Sequence, residues 1–415
     1  MTLPIRILPI LERWDCTGCG LCCRGNMVPL DDDDLRKLRE QDWDNHPDFL
    51  GVRTKVRQGL RGKSYRLAQR GDGTCVFLME DGLCRIHKEF GLEAKPLVCQ
   101  MYPLQLIPLQ NNAVLTLRRS CPTAAADRGK LLKTYRNAAE HLGTRRKLLA
   151  KASRPPKIIE KRRASWEDPL PVMDGIERLL TDDRYPMVRR MVHGLNFCRL
   201  LEACRLKRLD STQLTELVTI LLESSYQEAS ELFRERKPPT RSGAVLFRQC
   251  AAEYLRLHPK FIVQETWGQR FRLIPMALKM ARGKGTTPQF HPDLPVTTFE
   301  TLERPLGHLA EEVQRPFNRY FEVNVATRQY AVASKPGWSI IESFRDLALS
   351  YSVALWILRL CCTDSEPTHQ DSIDLVTLID RGQGYGPLEG GHHRRRVDTL
   401  ARLNQLERLA AWYAR

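Results

Sequence analysis

The sequence predicts a mainly α-helical protein, with an N-terminal cysteine-rich metal-binding module containing short strands and helical domains after it. Two observations carry this reading. Eight of the thirteen cysteines (Cys16, Cys19, Cys22, Cys23, Cys75, Cys84, Cys99 and Cys121) fall within the first 121 of 415 residues. Beyond residue 127, apolar residues recur three and four apart, the spacing that lines one face of a helix. Proline-containing breaks then set the expected organisation: a cysteine-cluster domain over 1–127, a basic helix and linker over 128–171, a helical region over 172–240 and a C-terminal helical domain over 241–415.

A chain of this length is expected to bury more than one core without covalent staples, so stability does not require the cysteines. Hydrophobic residues make up 42% and charged residues 27%, the balance of a folded soluble protein. The start "MTLPIRILPILERWDC" has a short apolar stretch broken by Pro4 and Pro9 and no small-residue cleavage site, which predicts a cytoplasmic protein. The most apolar run, "LALSYSVALWIL" at 347–358, falls short of the roughly 20 residues of a membrane span and reads as a buried core helix. A net charge of +16 suggests an anionic partner, whether nucleic acid, acidic protein or membrane surface. Between Arg128 and Arg163 thirteen Lys or Arg face only Glu140 and Glu160, but with Tyr135 the lone aromatic, a solvated helix face and linker is the simpler reading.

Within the module, "PLDDDDLRKLREQ" supplies Asp caps and leucines three apart, so a helix should begin near Asp32. The cysteines before it sit in a turn relieved by Gly18, Gly20 and Gly25. "KSYRLAQRGDGTCVFL" reads as a hairpin turning at "RGDG", the segment 82–109 as two short helices around a proline turn, and "AVLTLRRSC" as a strand. Further on, Ser211 is the expected cap of a long helix. Val397, Leu400, Leu403, Leu406, Leu409, Ala410 and Tyr413 form one apolar stripe. "GQGYGPLEGG" at 382–391 follows the strand-like "LVTLI" without the spacing of a nucleotide-binding glycine loop.

Disulfides need an oxidising compartment, to which nothing in the sequence directs the chain. A thioredoxin-like pair would open a helix after a strand, and Cys16 and Cys19 follow no strand pattern. Metal is the better account. Zinc would take four tetrahedral ligands, and "CTGCG" has the form of a zinc knuckle, but Cys75, Cys84, Cys99 and Cys121 lack the close pairing of a zinc finger. Cys16, Cys19 and Cys22 instead make Cys-x2-Cys-x2-Cys, the run that supplies three ligands to one cubane in bacterial ferredoxins while a remote cysteine supplies the fourth. The spacing favours a 4Fe–4S cluster and leaves zinc open. Eight thiolates could serve one cluster and a zinc, two clusters, or one cluster with spare thiols nearby. His87, three residues after Cys84, is a further candidate ligand, though an exposed or packed imidazole is the simpler reading, and Arg24 and Arg85 stand beside cysteines whose charge they could offset. His392 and His393 precede "RRR" in a Gly-rich stretch and read as solvated surface. Cys198, Cys204, Cys250, Cys361 and Cys362 read as small buried hydrophobes.

"CTGCGLCCRG", then "CVFLMEDGLCRIHKEFGLEAKPLVCQMYPL", then "LRRSCPTAA" resemble the CxxCxxCC cysteine-cluster family of zinc- or iron-chelating proteins, and within it the flagellin lysine-N-methylase branch. The resemblance covers about the first 125 residues and all eight cysteines. It implies a cytoplasmic iron–sulfur protein that transfers a methyl group from S-adenosylmethionine to lysines of a protein such as flagellin, with cluster ligands drawn from Cys16, Cys19, Cys22, Cys23, Cys75, Cys84, Cys99 and Cys121. The positive chain would meet a lysine-rich substrate only at an acidic patch such as Asp31 to Asp34. Two other functions stay open: a non-enzymatic metal-chelating binding module, and an iron–sulfur electron-transfer or redox-sensing protein.

Overall fold

The helix Ile340–Cys361 is buried nearly all round, and the helical body is built about it. Ser339 starts it with a capping box: its hydroxyl accepts from Glu342 N, and the Glu342 carboxylate accepts from Ser339 N at 2.8 Å. Nearly every residue from Ile340 to Leu360 is buried, because the helices Met187–Ala203, Arg241–Leu255, His369–Gly382, Gly391–Arg402 and Leu406–Tyr413 pack around it. The computed structural model describes residues 3–58, 64–150, 154–159, 165–206, 209–227, 229–257, 267–290, 294–333, 335–383, 388 and 390–415. Among them no helix is long and apolar enough to cross a membrane, and 347–358 is the buried core helix its length predicts.

Three expectations for the helical part are corrected. Leu375–Ile379 belongs not to a strand but to the helix His369–Gly382, because Thr368 and Asp371 form a capping box ahead of this β-branched run and set helical geometry before it. The long helix Ser211–Gln227 is capped from one residue earlier, the Asp210 carboxylate accepting from Gln213 N at 2.8 Å, while the Ser211 hydroxyl is spent on Asp168. The C-terminal stripe is two helices, parted at Asn404 with its φ of 50°, and Leu403 at the break is exposed. Half of "GQGYGPLEGG" lies outside the described residues.

The N-terminal part is mostly short helices and three small sheets. In one, Ala113–Leu117 runs between Ile5–Arg6, parallel to it, and Leu104–Pro108, antiparallel. A second pairs Arg13–Trp14 with Lys130–Leu131, and a third places Tyr65–Leu67 between Pro29–Leu30 and Lys55–Arg57. Two small cores follow. One lies under the first sheet and includes Cys121; the other gathers Trp43, Phe49 and Phe77, with ring centroids 4.9 to 5.2 Å apart, and includes Cys75.

Buried charge joins this part to the helical body. Arg118 Nε pairs with Asp380 Oδ2 at 3.0 Å, its Nη1 donates to Gln383 O at 2.8 Å, and Ser120 N donates to the same Asp380 oxygen at 2.7 Å. One residue on, Arg381 donates to Leu21 O and Arg24 O, carbonyls of the first cysteine loop, at 3.1 and 3.3 Å. Gln383 Nε2 then reaches Asp346 Oδ2 at 2.8 Å, and Asp346 also binds Lys335 and, at 2.6 Å, His393 Nε2. His393 is therefore not solvated surface. It is buried, with Glu253 at 2.8 Å on its other ring nitrogen, because the helix Gly391–Arg402 turns it inward and His392 outward.

Carboxylates on both nitrogens make His393 an imidazolium. Burial opposes that charge, but Asp346 and the hydrogen bonds around the ring outweigh it and push the pKa up to about 11. A folded-state value above the unfolded one, roughly 6.5, contributes stability that is whole below the unfolded value and is lost as pH rises toward the folded one. In urea unfolding, the difference in stability between the unmodified protein and His393→Asn should accordingly be largest near pH 6 and shrink steadily toward pH 10. A difference that does not change with pH would contradict the charged ring.

Candidate metal centre

Glycine sets the first cysteine loop. Gly18 and Gly20 have φ of 68° and 67°, and a Cβ on Gly20 would lie 2.9 Å from the Gly82 carbonyl oxygen, so the loop rests directly on the turn that carries Cys84. Backbone bonds bring in the next cysteines: Cys75 N donates to Cys23 O at 2.8 Å, and Leu78 and Cys84 form an isolated β-bridge. The "RGDG" turn forms as expected, closing between Arg70 and Thr74.

Cys99 arrives on the short helix Leu97–Met101, which is held from the helix Asp32–Glu40. Leu97 N donates to Asp34 Oδ1 at 2.9 Å, while Lys37 Nζ and Gln41 Nε2 hold the Glu93 and Ala94 carbonyls at 2.8 and 3.0 Å. Three of the four acids in this run have structural partners. Asp31 and Asp34 form a capping box, Asp34 is buried, and Asp33 pairs with Arg36, Lys37 and Arg145.

These contacts converge on one group. Cys22, Cys23, Cys75, Cys84 and Cys99 are linked electrostatically to one another, and all but Cys75 act on Lys95. Cys22 Sγ and Cys23 Sγ are 4.0 Å apart; that hydrogen bond raises the Cys23 thiol and lowers Cys22. Burial pushes the Cys75 thiol up to about 11 and raises Cys99 further. Burial also works against the Lys95 ammonium, but Cys84, Cys99, Cys22 and Cys23 together hold it above the usual lysine value.

The remaining three module cysteines lie toward Trp14. Glu12 is buried against Arg119 at 3.2 Å and accepts from the Thr116 hydroxyl, which ties the chain before Cys16 to the chain before Cys121. Arg13 N donates to Asp127 at 2.7 Å, and the Thr17 and Thr123 hydroxyls meet at 3.3 Å. Cys19 acts electrostatically on Cys121, and Cys16 on Tyr135, whose ring lies 4.9 Å from Trp14. The indole N–H of Trp14 is buried against Cys121 and is directed at its sulfur.

Other sequence candidates fare differently. His87 is exposed near the end of its helix. Arg85 is paired with Asp48 at 2.7 Å and Glu89 at 3.2 Å rather than offsetting thiolate charge, and Arg24 is exposed. The cations that act on the sulfurs are Lys95, Arg381 and Arg70. Lys95 stood in "KPLVC" as a detectable signal; Arg381, 360 residues from Leu21, did not. Cys198 and Cys250 are buried as expected, and Cys204, Cys361 and Cys362 are half-buried.

The donor set fits a metal. Several buried and half-buried thiols gathered together cannot all ionise unless a cation compensates them, and thiolates are the form that binds zinc or iron. A tighter triad of ligand-type atoms, mutually within 4.8 Å, exists in the helical body at Cys250, Glu253 and His393. There, however, Lys335 on Asp346 and Arg396 on Glu253 already supply the cations, and both imidazole nitrogens are taken.

A family model described as "CxxCxxCC: Putative zinc- or iron-chelating domain" matches residues 15–122, the span that holds all eight module cysteines. The chain is 30% identical over 133 residues to "Uncharacterized protein MJ0939" of Methanocaldococcus jannaschii, a match covering 31% of this chain and 42% of the relative. The chain thus spans less than half the length of that curated relative. No solved structure matches.

Exposure divides the thiols sharply, with Cys16 and Cys19 exposed and Cys75 and Cys121 buried. In metal-free folded protein, iodoacetamide followed by peptide mass spectrometry should label Cys16 and Cys19 at least about tenfold faster than Cys75 and Cys121. Equal rates would rule out the two buried positions.

Proposed function

We propose that the module carries a 4Fe–4S cluster on four of the five sulfurs of Cys22, Cys23, Cys75, Cys84 and Cys99, with Lys95 and Arg381 as the cations beside it. The observation that carries the reading is the gathering of five interacting thiols, four of which act on one half-buried lysine, Lys95. Spacing favours the cluster over a single zinc. Tetrahedral zinc with bonds of 2.3 Å holds its thiolates about 3.8 Å apart. Among the described residues no three of these sulfurs lie mutually within 4.8 Å. The run Cys-x2-Cys-x2-Cys, which Cys22 closes, points the same way.

When bound, such a cluster supplies one-electron transfer or an open iron for chelation. The protein's own part is to exclude water, through the cores around Trp43 and Leu115, and to hold Lys95 and Arg381 against the sulfurs. Cys16, Cys19 and Cys121 form a second, three-sulfur set. It is open to solvent on the side of Cys16 and Cys19, while the indole N–H of Trp14 is directed at the buried Cys121 sulfur.

Iron, zinc and acid-labile sulfide should be measured on protein purified without oxygen, together with its absorption spectrum. About four iron and four sulfide per chain with a broad band near 400 nm are expected. Cys84→Ser and Cys99→Ser should lose most of both, and Cys198→Ser should lose neither. Zinc without sulfide would overturn the cluster in favour of a metal-stapled binding module.

Methyl transfer is the activity implied by the likeness to lysine methylases. We propose it as the use of the same centre: the iron-loaded protein with labelled S-adenosylmethionine should label a flagellin lysine, and Cys99→Ser should abolish the transfer. Labelling absent from the loaded protein would leave electron transfer or sensing as the function.

A further inference from the structure

A cleft of about 510 Å³ opens in the helical body, and its walls differ in kind. Arg189, Arg234, Arg236 and His308 contribute to its lining, while Phe317, Tyr351 and Tyr413, all buried, form an aromatic floor. Among the described residues that line it, none is Asp or Glu. The arginines are not committed elsewhere by ion pairs: among the described residues Arg189, Arg234 and Arg236 have no carboxylate within 4 Å. Arg189 instead lies over the Phe233 ring, 5.1 Å from its centroid, which presets its guanidinium.

Uncompensated guanidinium groups converging on a concave surface are a receptor for an anion, and a planar fork suits phosphate best. The helix Met187–Ala203 begins at the same cleft with no acidic residue in its first turn, which adds to the positive field. The floor asks for a flat apolar body. Asn318, also in the lining, has no hydrogen bond to another described residue, and a free carboxamide is the group that reads the edge of an adenine with donor and acceptor together.

We propose that this cleft binds a purine nucleoside phosphate, with its ring against Phe317 and Tyr351, its base edge at Asn318 and its phosphate at Arg189 and Arg234. The site is independent of the cysteine module, so it stands or falls separately from the metal reading. Its volume lies within the range of small-molecule sites.

The test is isothermal titration of the full-length protein, as purified with its metal, with ADP, adenosine and inorganic phosphate in turn. ADP is expected to bind at one site per chain and at least tenfold more tightly than either adenosine or phosphate. Arg189→Ala with Arg234→Ala should weaken ADP at least tenfold and leave adenosine unchanged, while Asn318→Ala should weaken ADP and leave phosphate unchanged. The direct titration needs no variant, so misfolding of one cannot rescue the idea. No saturable ADP binding, phosphate binding as tightly as ADP, or S-adenosylmethionine binding more tightly than ADP would each overturn it.

Discussion

Two carboxylates inside the helical body, Asp346 and Asp380, are fully buried, and the rest of the structure is arranged so that each has a cation. An unpaired charge at such depth would cost several kcal/mol, and removing one partner of a buried pair typically costs about 3–5 kcal/mol. Asp346 is served from within the body, by Lys335 and His393. Asp380 is not: its cation is Arg118, which leads out of the strand Ala113–Leu117 three residues before Cys121. Satisfying one buried charge therefore docks the cysteine module. Arg381, beside it on the same helix, lands on the carbonyls of the first cysteine loop.

The same economy of contacts explains how cysteines 77 residues apart in sequence, Cys22 and Cys99, come to act on one another. Neither sits in a long element that could hold it alone. Cys22 lies in a three-residue 3-10 turn whose start requires the left-handed Gly20, and Cys99 lies in a five-residue helix with no side-chain cap of its own. Position is borrowed: Asp34 caps the second from a neighbouring helix, and Gly82 allows the first to lie flat. A helix of that length has little stability by itself, so the geometry of the sulfurs depends on the contacts around it and on whatever the sulfurs bind.

This division also decides what could be read in the sequence. The long helices, the buried run 347–358, the Asp32 helix and the glycine turns were legible because their causes are local: period, cap and backbone freedom. The strand-like "LVTLI" misled because four or five β-branched and aliphatic residues look alike in either geometry, and the deciding Thr368 capping box lies outside the run. "GGHHRRR" misled for a related reason. Glycines ahead of charge suggest a loop, yet Gly391 opens a helix that turns His393 onto Asp346, a partner 47 residues away. All eight module cysteines could be named, but not their grouping, because that rests on long-range contacts such as Arg118 with Asp380. Arg85 shows the same limit: adjacency in sequence puts it beside a cysteine, while Asp48 and Glu89 claim it in space.

The net charge of +16 is best understood by asking which cations lack partners. Arg118, Arg345, Lys335 and Arg190 are buried and each meets a carboxylate, so they contribute to the count and nothing to the outer field. Arg36, Arg85 and Arg184 are likewise paired at the surface. Cations matter for binding where they are left together without acids, since only there does approach of an anion gain interaction without first breaking one. Among the described residues Arg189, Arg234 and Arg236 satisfy that condition, around a cleft that Phe317, Tyr351 and Tyr413 also line. The contrast with Asp346 follows one rule: where the fold buries carboxylate it must supply cations from its own chain, and where it gathers cations around a cleft without carboxylate, the complement must come from outside.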